Sequence, residues 1–146
     1  MRVLGIDFGD RNVGLALSDA LRLTAQPLGT YRLTGRDDKD REYFQNLVRK
    51  HQIAEIVLGL PLRLDGTAGS RVDKTRDFAA WIESAVHVPV AFWDERLTTH
   101  QALAVAHEQN VSLKAKRSVI NQISAAIILQ SYLDSKRPDA NDPQGR

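Results

Sequence analysis

The chain contains no cysteine. That excludes a disulfide framework, a thiolate metal site and a cysteine nucleophile. No apolar run approaches the roughly 20 residues that a membrane-spanning helix needs. The N-terminus reads as a strand, without the charged segment, apolar block and cleavage site of a secretory leader. Neither sign of charge dominates, because 20 Lys and Arg against 18 Asp and Glu leave a formal charge of +2. So small a surplus identifies no class of partner, and any nucleic-acid footprint has to be a local basic patch. Neither a repeat nor a linker divides the 146 residues, a length that suits one domain and can bury a core. These absences predict a soluble, cytoplasmic protein. Hydrophobic residues at 42% and charged residues at 26% suit a globular chain.

What is present alternates between strand and helix signals. Residues 2–8 and 13–18 are apolar and rich in strand formers, and Gly9-Asp10-Arg11-Asn12 between them is turn chemistry, so a hairpin is predicted. A third strand is expected over 27–33. Asp38 is read as the cap of a helix to His51, with Tyr43, Phe44, Leu47 and Val48 on one face. Ile53–Leu60 reads as a buried strand that Pro61 ends. A loop over 61–70, a helix over 70–85, a strand over 88–93 and a helix from Thr98 or Thr99 to Gln109 follow. Residues 110–117 read as a polar, basic loop. A last helix is expected over 118–133, with Val119, Ile120, Ile123, Ala126, Ile127 and Tyr132 as its core stripe. The domain is taken to span 1–134, and 135–146, which lack core-forming side chains, read as a disordered tail. The order β-β-β-α-β-α-β-α-α implies a mixed sheet with helices on both faces.

Ligands of such folds collect at the carboxyl ends of strands. Asp7 ends the first strand, and Asp94 and Glu95 end the last. If those strands lie close, the carboxylates converge and repel, and a hard cation such as Mg²⁺ or Mn²⁺ relieves the repulsion. Two such ions about 4 Å apart can clamp the attacking and leaving oxygens of a phosphodiester displacement. The plainer alternatives are a turn or cap role for Asp7 and a loop ion pair within Asp94-Glu95-Arg96.

Four stretches together carry a resemblance: GIDFGDRNVGLALSD at 5–19, VLGLPLRLDGTAGS at 57–70, DERLTT at 94–99 and INQISAAIILQSYL at 120–133. The sequence resembles the YqgF/RuvX family of the ribonuclease H-like superfamily, whose members are described as Holliday junction resolvases or pre-16S rRNA nucleases. The resemblance runs from Arg2 to about Asp134. It implies a ribonuclease H-like fold, with a five-stranded mixed sheet made of an antiparallel meander plus parallel strands. It also implies phosphodiester hydrolysis dependent on Mg²⁺ or Mn²⁺. The family's first acidic ligand falls on Asp7 and its second within Asp94-Glu95, with Glu95 preferred. Its third acidic residue, in a D-x-x-A-A pattern at the start of the last helix, falls on Asn121. An asparagine carbonyl can coordinate a hard cation but brings no charge and no proton transfer. Three explanations fit this departure: a weak or inactive member, a chain altered to trap substrate, or a substituting carboxylate elsewhere.

Other residues are candidates for nucleic-acid contact. Arg11, in the hairpin turn, is either a bidentate phosphate clamp or a solvated turn arginine. Arg96 can steady Glu95 or touch the substrate backbone. Lys114, Lys116 and Arg117 form the densest basic cluster, close in sequence to Asn121, and suit backbone phosphates. Arg63 and Ser70 belong to the loop leaving a central strand, where Gly66 and Gly69 permit close approach and the following helix N-terminus can take a phosphate. Arg71, Lys74 and Arg76 read as a solvated helix face balanced by Asp73 and Asp77. Three functions result: a nuclease acting on structured RNA or branched DNA, an ATP-binding phosphotransferase, and a nucleic-acid binder without catalysis. The second needs two lobes around the nucleotide and is disfavoured by a single domain. The protein is expected as a monomer or weak homodimer.

Overall fold

The computed structural model describes residues 1–62, 66, 68–97 and 113–137, of which 113–117 are described as backbone only. Strands β1 (Arg2–Phe8) and β2 (Asn12–Ser18) form the expected antiparallel hairpin, in which Asp7 faces Gly14 across the pair. The turn closes through a 2.9 Å bond from the Gly9 N–H to the Asn12 carbonyl. A Cβ at Gly9 would lie 2.7 Å from that oxygen, so the tight turn requires glycine. Strand β3 (Ala25–Arg32) extends the meander and begins two residues before the predicted start. It is an edge strand, which is where Pro27 can sit without breaking a ladder.

Helix α1 (Asp37–His51) follows. Its N-cap is Arg36, which makes no side-chain capping bond, so the predicted Asp38 cap is corrected. Asp40 organises this corner instead. Its Oδ1 accepts the Tyr31 hydroxyl at 2.7 Å, the Thr34 hydroxyl at 2.9 Å and the Thr34 N–H at 3.1 Å. Strand β4 (Ile53–Leu60), helix α2 (Ser70–Val86) and strand β5 (Val90–Asp94) come next, and a 3-10 turn covers Glu95–Leu97. The helix predicted from Thr98 or Thr99 to Gln109 lies outside the described residues. Helix α3 runs from Leu113 to Lys136. It begins five residues before the predicted start because Leu113-Lys-Ala-Lys-Arg117 is made of strong helix formers. Lys114, Lys116 and Arg117 therefore open a helix and do not form a loop. At the other end α3 includes Ser135 and Lys136, and Arg137 still bonds Asp134 at 2.7 Å.

The five strands lie in the order β3-β2-β1-β4-β5, with β1–β4 and β4–β5 parallel. Helices α1 and α2 cover one face, where Leu4, Ile6, Leu15, Phe44, Ile56, Leu58 and Ile82 are buried. Helix α3 covers the other, burying Val3, Ala16, Val57, Ala125, Ile128 and Leu129. This is the mixed, doubly covered sheet expected of a ribonuclease H-like fold. The strand alternation puts Val3, Gly5 and Asp7 on the α3 face and Leu4, Ile6 and Phe8 on the other. The stripe predicted for α3 is turned. Of the expected stripe Tyr132 is buried, together with Ala125, Ile128, Leu129 and Leu133, whereas Val119, Ile120, Ile123, Ala126 and Ile127 are half-buried. The helix is apolar on several sides, so periodicity alone leaves its contact face open. Gly5 sets it, because a Cβ there would lie 2.7 Å from the Leu129 Cβ. Among the described residues no helix is long and apolar enough to cross a membrane.

Candidate active site

Asp7 ends the central strand on the face covered by α3, and both neighbouring strands carry a glycine beside it. On the β2 side Gly14 is its registered partner. A Cβ on Gly14 would lie 2.0 Å from the Asn121 carbonyl oxygen, so the backbone of α3 rests directly on that glycine. On the β4 side the last registered pair is Ile6–Leu58, and Gly59 comes next. A Cβ on Gly59 would lie 3.0 and 3.1 Å from Cγ and Cδ of Glu95. The missing side chain lets Glu95, which begins the 3-10 turn after β5, lie over β4 towards Asp7. Position 121 of α3 and the two carboxylates thus converge, although β4 separates the strands that carry those carboxylates.

The electrostatics of the two carboxyls follow from that proximity. Burial pushes the Asp7 carboxyl up to about 7, the charge of Glu95 pushes it further in the same direction, and the Arg71 guanidinium opposes both. Glu95 is also raised, first by burial and then by Asp94, and is lowered by Arg71. Two half-buried carboxyl groups therefore face each other in a setting that disfavours their ionised forms. Among the described residues, no group of three or more carboxylate, imidazole or thiol side chains is arranged to hold a metal ion. Asn121 comes to this place by its backbone, whose carbonyl rests on Gly14.

Asp94 has a different environment. Its carboxylate takes Nε of Arg96 at 2.9 Å and Nη2 at 2.6 Å, and its Oδ1 accepts the Arg96 backbone N–H at 2.9 Å. Those bonds hold Asp94 below the usual carboxylate range, the side-chain contact with Arg96 being the largest cause. The structure thus realises the ion pair within Asp94-Glu95-Arg96 and leaves Glu95 as the carboxylate turned to Asp7. Arg96 in turn reaches the loop after β4, its Nη1 lying 3.3 Å from where a Cβ on Gly66 would be.

Residues 1–135 match a family model described as RuvX, Holliday junction resolvase. The chain belongs to the RuvX family. A RuvX relative from Halothermothrix orenii, called "Putative pre-16S rRNA nuclease", is 41% identical over 134 residues, 92% of this chain and 95% of the relative. A relative of the same name from Dictyoglomus thermophilum is 45% identical over 139 residues, 95% of this chain and 99% of the relative. The fold is similar to that of Thermus thermophilus RuvC in complex with a Holliday junction substrate, with a TM-score of 0.54 at 17% identity over 92% of this chain and 94% of that one. It is also similar to the yeast mitochondrial Holliday junction resolvase Ydc2, with a TM-score of 0.52 at 12% identity, covering 90% of this chain and 77% of that one.

Of the residues predicted for a RuvX site, Asp7, Glu95 and position 121 are brought together. Ser70 is the exposed first residue of α2, capped by Gly69. Arg11 lies in the turn and lines a cleft on the α1–α2 face. Arg63 lies outside the described residues, as do the side chains of Lys114, Lys116 and Arg117. Arg71 was not foreseen. It reads in sequence as part of a solvated charge pattern, yet its Nη2 donates to the Phe8 carbonyl at 3.5 Å and its charge acts on both site carboxyls. Its position in the first turn after the β4 loop is the signal that could have found it. Gly14 and Gly59 were also missed, although an isolated glycine inside a strand marks a close approach of other chain atoms.

Proposed function

We propose that the chain is a divalent-metal-dependent nuclease that hydrolyses phosphodiesters in structured RNA, in the maturation of ribosomal RNA. The observation that carries this reading is the convergence of Asp7 and Glu95 over two glycines at the carboxyl ends of β1 and β5. The donor set fits a hard cation such as Mg²⁺ or Mn²⁺, being two carboxylates in need of positive charge and a neutral amide oxygen. Asp7 and Glu95 would hold the metal, with Asn121 as the weak third ligand. Such ions supply Lewis-acid charge to phosphate oxygens and acidify water.

The protein's own part is positioning. Asp7 keeps its proton to about pH 7 while the site lacks a cation and gives it up on loading, so loading at pH 6–7 releases protons. Arg71 and the N–H groups that open α2 can orient a phosphate beside the carboxyls. The basic opening of α3, through Lys114, Lys116 and Arg117, suits backbone phosphates on the flank of position 121. The relatives' names favour RNA over branched DNA, and a cytoplasmic place agrees with that substrate.

Asn121 favours a second reading, in which this chain binds nucleic acid and cuts it weakly or not at all. One assay addresses both readings. Structured RNA, single-stranded DNA and a four-way junction are incubated side by side with Mg²⁺ and Mn²⁺, using the chain and its Asn121→Asp form. Restoring the third charge should raise cleavage by about tenfold or more, since ligand charge sets the affinity of such sites over decades. Equal cleavage by both forms would exclude position 121 as a ligand. Binding without cleavage by either form would leave the second reading standing.

A further inference from the structure

We propose that the cleft on the opposite face of the sheet takes one unpaired nucleotide of the substrate strand. Its base would lie against Phe8, Phe78 and Trp81, and its phosphate against Arg11 and Arg32. The inference rests on the nuclease reading for the identity of the ligand.

The cleft lies between the hairpin turn, the end of β3 and helices α1 and α2, and has a volume of about 1060 Å³. Ligand sites run from about 300 to 1,000 Å³, so there is room for a nucleotide and its flanking backbone. Three rings form a continuous apolar wall. Phe8 stacks on Phe78 with centroids 4.5 Å apart, and Phe78 lies 5.6 Å from Trp81. Phe8 and Trp81 are only half-buried, so part of the wall is open to a visitor. Aromatic faces with adjacent arginines are the usual means of holding unpaired bases without reading their sequence.

Two guanidiniums at the rim are placed to meet an anion. Arg11 and Arg32 are exposed and have no side-chain partner among the described residues. Four aspartates also line the cleft, but three are engaged. Asp37 accepts the Trp81 indole N–H at 2.6 Å, Asp40 accepts Tyr31 and Thr34, and Asp10 faces Lys74 at 3.7 Å. With Asp37 paired to Arg41 and Asp10 to Lys74, the carboxylates of Asp40 and Asp77 stand against the two guanidiniums of Arg11 and Arg32.

Position links the cleft to the chemistry. Asp7 and Phe8 are consecutive, and consecutive strand residues point to opposite faces. A strand of nucleic acid crossing the tight turn at Gly9 would meet the carboxyls on one side and the aromatic wall on the other. The cleft then holds a nucleotide flanking the scissile bond, which makes it a device for selecting substrates with an unpaired neighbour.

The test uses the full chain with Trp93→Phe as background, so that Trp81 is the sole indole. Tetra-adenylate RNA is titrated in EDTA, and Trp81 fluorescence is followed. Saturable quenching is expected. Replacing both Arg11→Ala and Arg32→Ala should weaken the apparent Kd at least tenfold, whereas Arg49→Ala with Lys50→Ala, the same charge loss at the far end of α1, should leave it within twofold. Circular dichroism checks that each variant folds. Absence of saturable quenching overturns the proposal, and so does an equal response to the two double substitutions. Cleavage of structured RNA by the unsubstituted chain is measured separately. Cleavage without quenching overturns the cleft alone, and quenching without cleavage overturns the nuclease reading alone.

Discussion

Asp7 retains its proton to about pH 7 in the folded protein, whereas an unfolded chain releases it near the ordinary value of 3.8. Between those values the native state binds the proton and the unfolded state does not. Stability from this group is therefore complete below about pH 4 and is lost as pH rises towards and through 7. At 1.36 kcal/mol per pKa unit, the loss is roughly 2–4 kcal/mol after allowing for partial solvation. Asp7→Asn should match the parent in thermal unfolding at pH 4 and exceed it at pH 8 by that amount, with no divalent cation present. A pH-independent difference would mean that burial of the carboxyl is not the cause. Asp7 was legible in the sequence because a carboxylate closing an apolar strand is costly without a purpose. Arg71 was not, because a cation among alternating charges on a helix looks the same whether it faces water or a site.

At the scale of elements, two glycines decide how closely three pieces of chain approach Asp7, and they should fail differently. A Cβ on Gly14 meets the α3 backbone at 2.0 Å, which cannot yield without moving the helix. Gly14→Ala should cost about 3 kcal/mol or more, as overpacking against rigid structure does, and remove cleavage with it. A Cβ on Gly59 meets the Ile128 Cδ1 at 2.6 Å and the Glu95 side chain at 3.0 Å, both able to shift. Gly59→Ala should cost about 1 kcal/mol in urea unfolding yet lower cleavage at least tenfold, because Glu95 is pushed off β4. Equal scaling of stability and activity in the two variants would show that neither glycine acts through the site. Strand positions were legible from short apolar runs. The contact face of α3 was not, since its apolar residues wrap around it and the glycines that choose the face lie far away in sequence.

At the scale of the molecule, one sheet separates two cores, and each has a tryptophan. Trp81 packs with the α1–α2 core and Trp93 with the α3 core, where its indole reaches Ser131 at 3.1 Å. Because every strand contributes to the sheet between them, neither core can dissolve alone. Single-tryptophan forms, Trp81→Phe and Trp93→Phe, should report coincident urea transitions after correction for any shift of midpoint. A Trp93 signal lost well before that of Trp81 would mean that α3 detaches as a separate unit. The mixed sheet was legible from the order of strand and helix signals. That β4 intervenes between the strands bearing Asp7 and Glu95 was not, because nothing local in β1 or β5 specifies a neighbour.

The supports of the three proposed ligands differ in stiffness. Asp7 hangs from the central strand, bonded on both sides, and Asn121 belongs to a helix seated on Gly14. Glu95 leaves a five-residue edge strand through a 3-10 turn. The site is thus a vice with two fixed jaws and one sliding jaw. Any change of span, whether to fit a cation of another radius or to follow a phosphate as its bonds rearrange, falls on β5. The edge of the sheet, and not its centre, would then set which cations this protein tolerates.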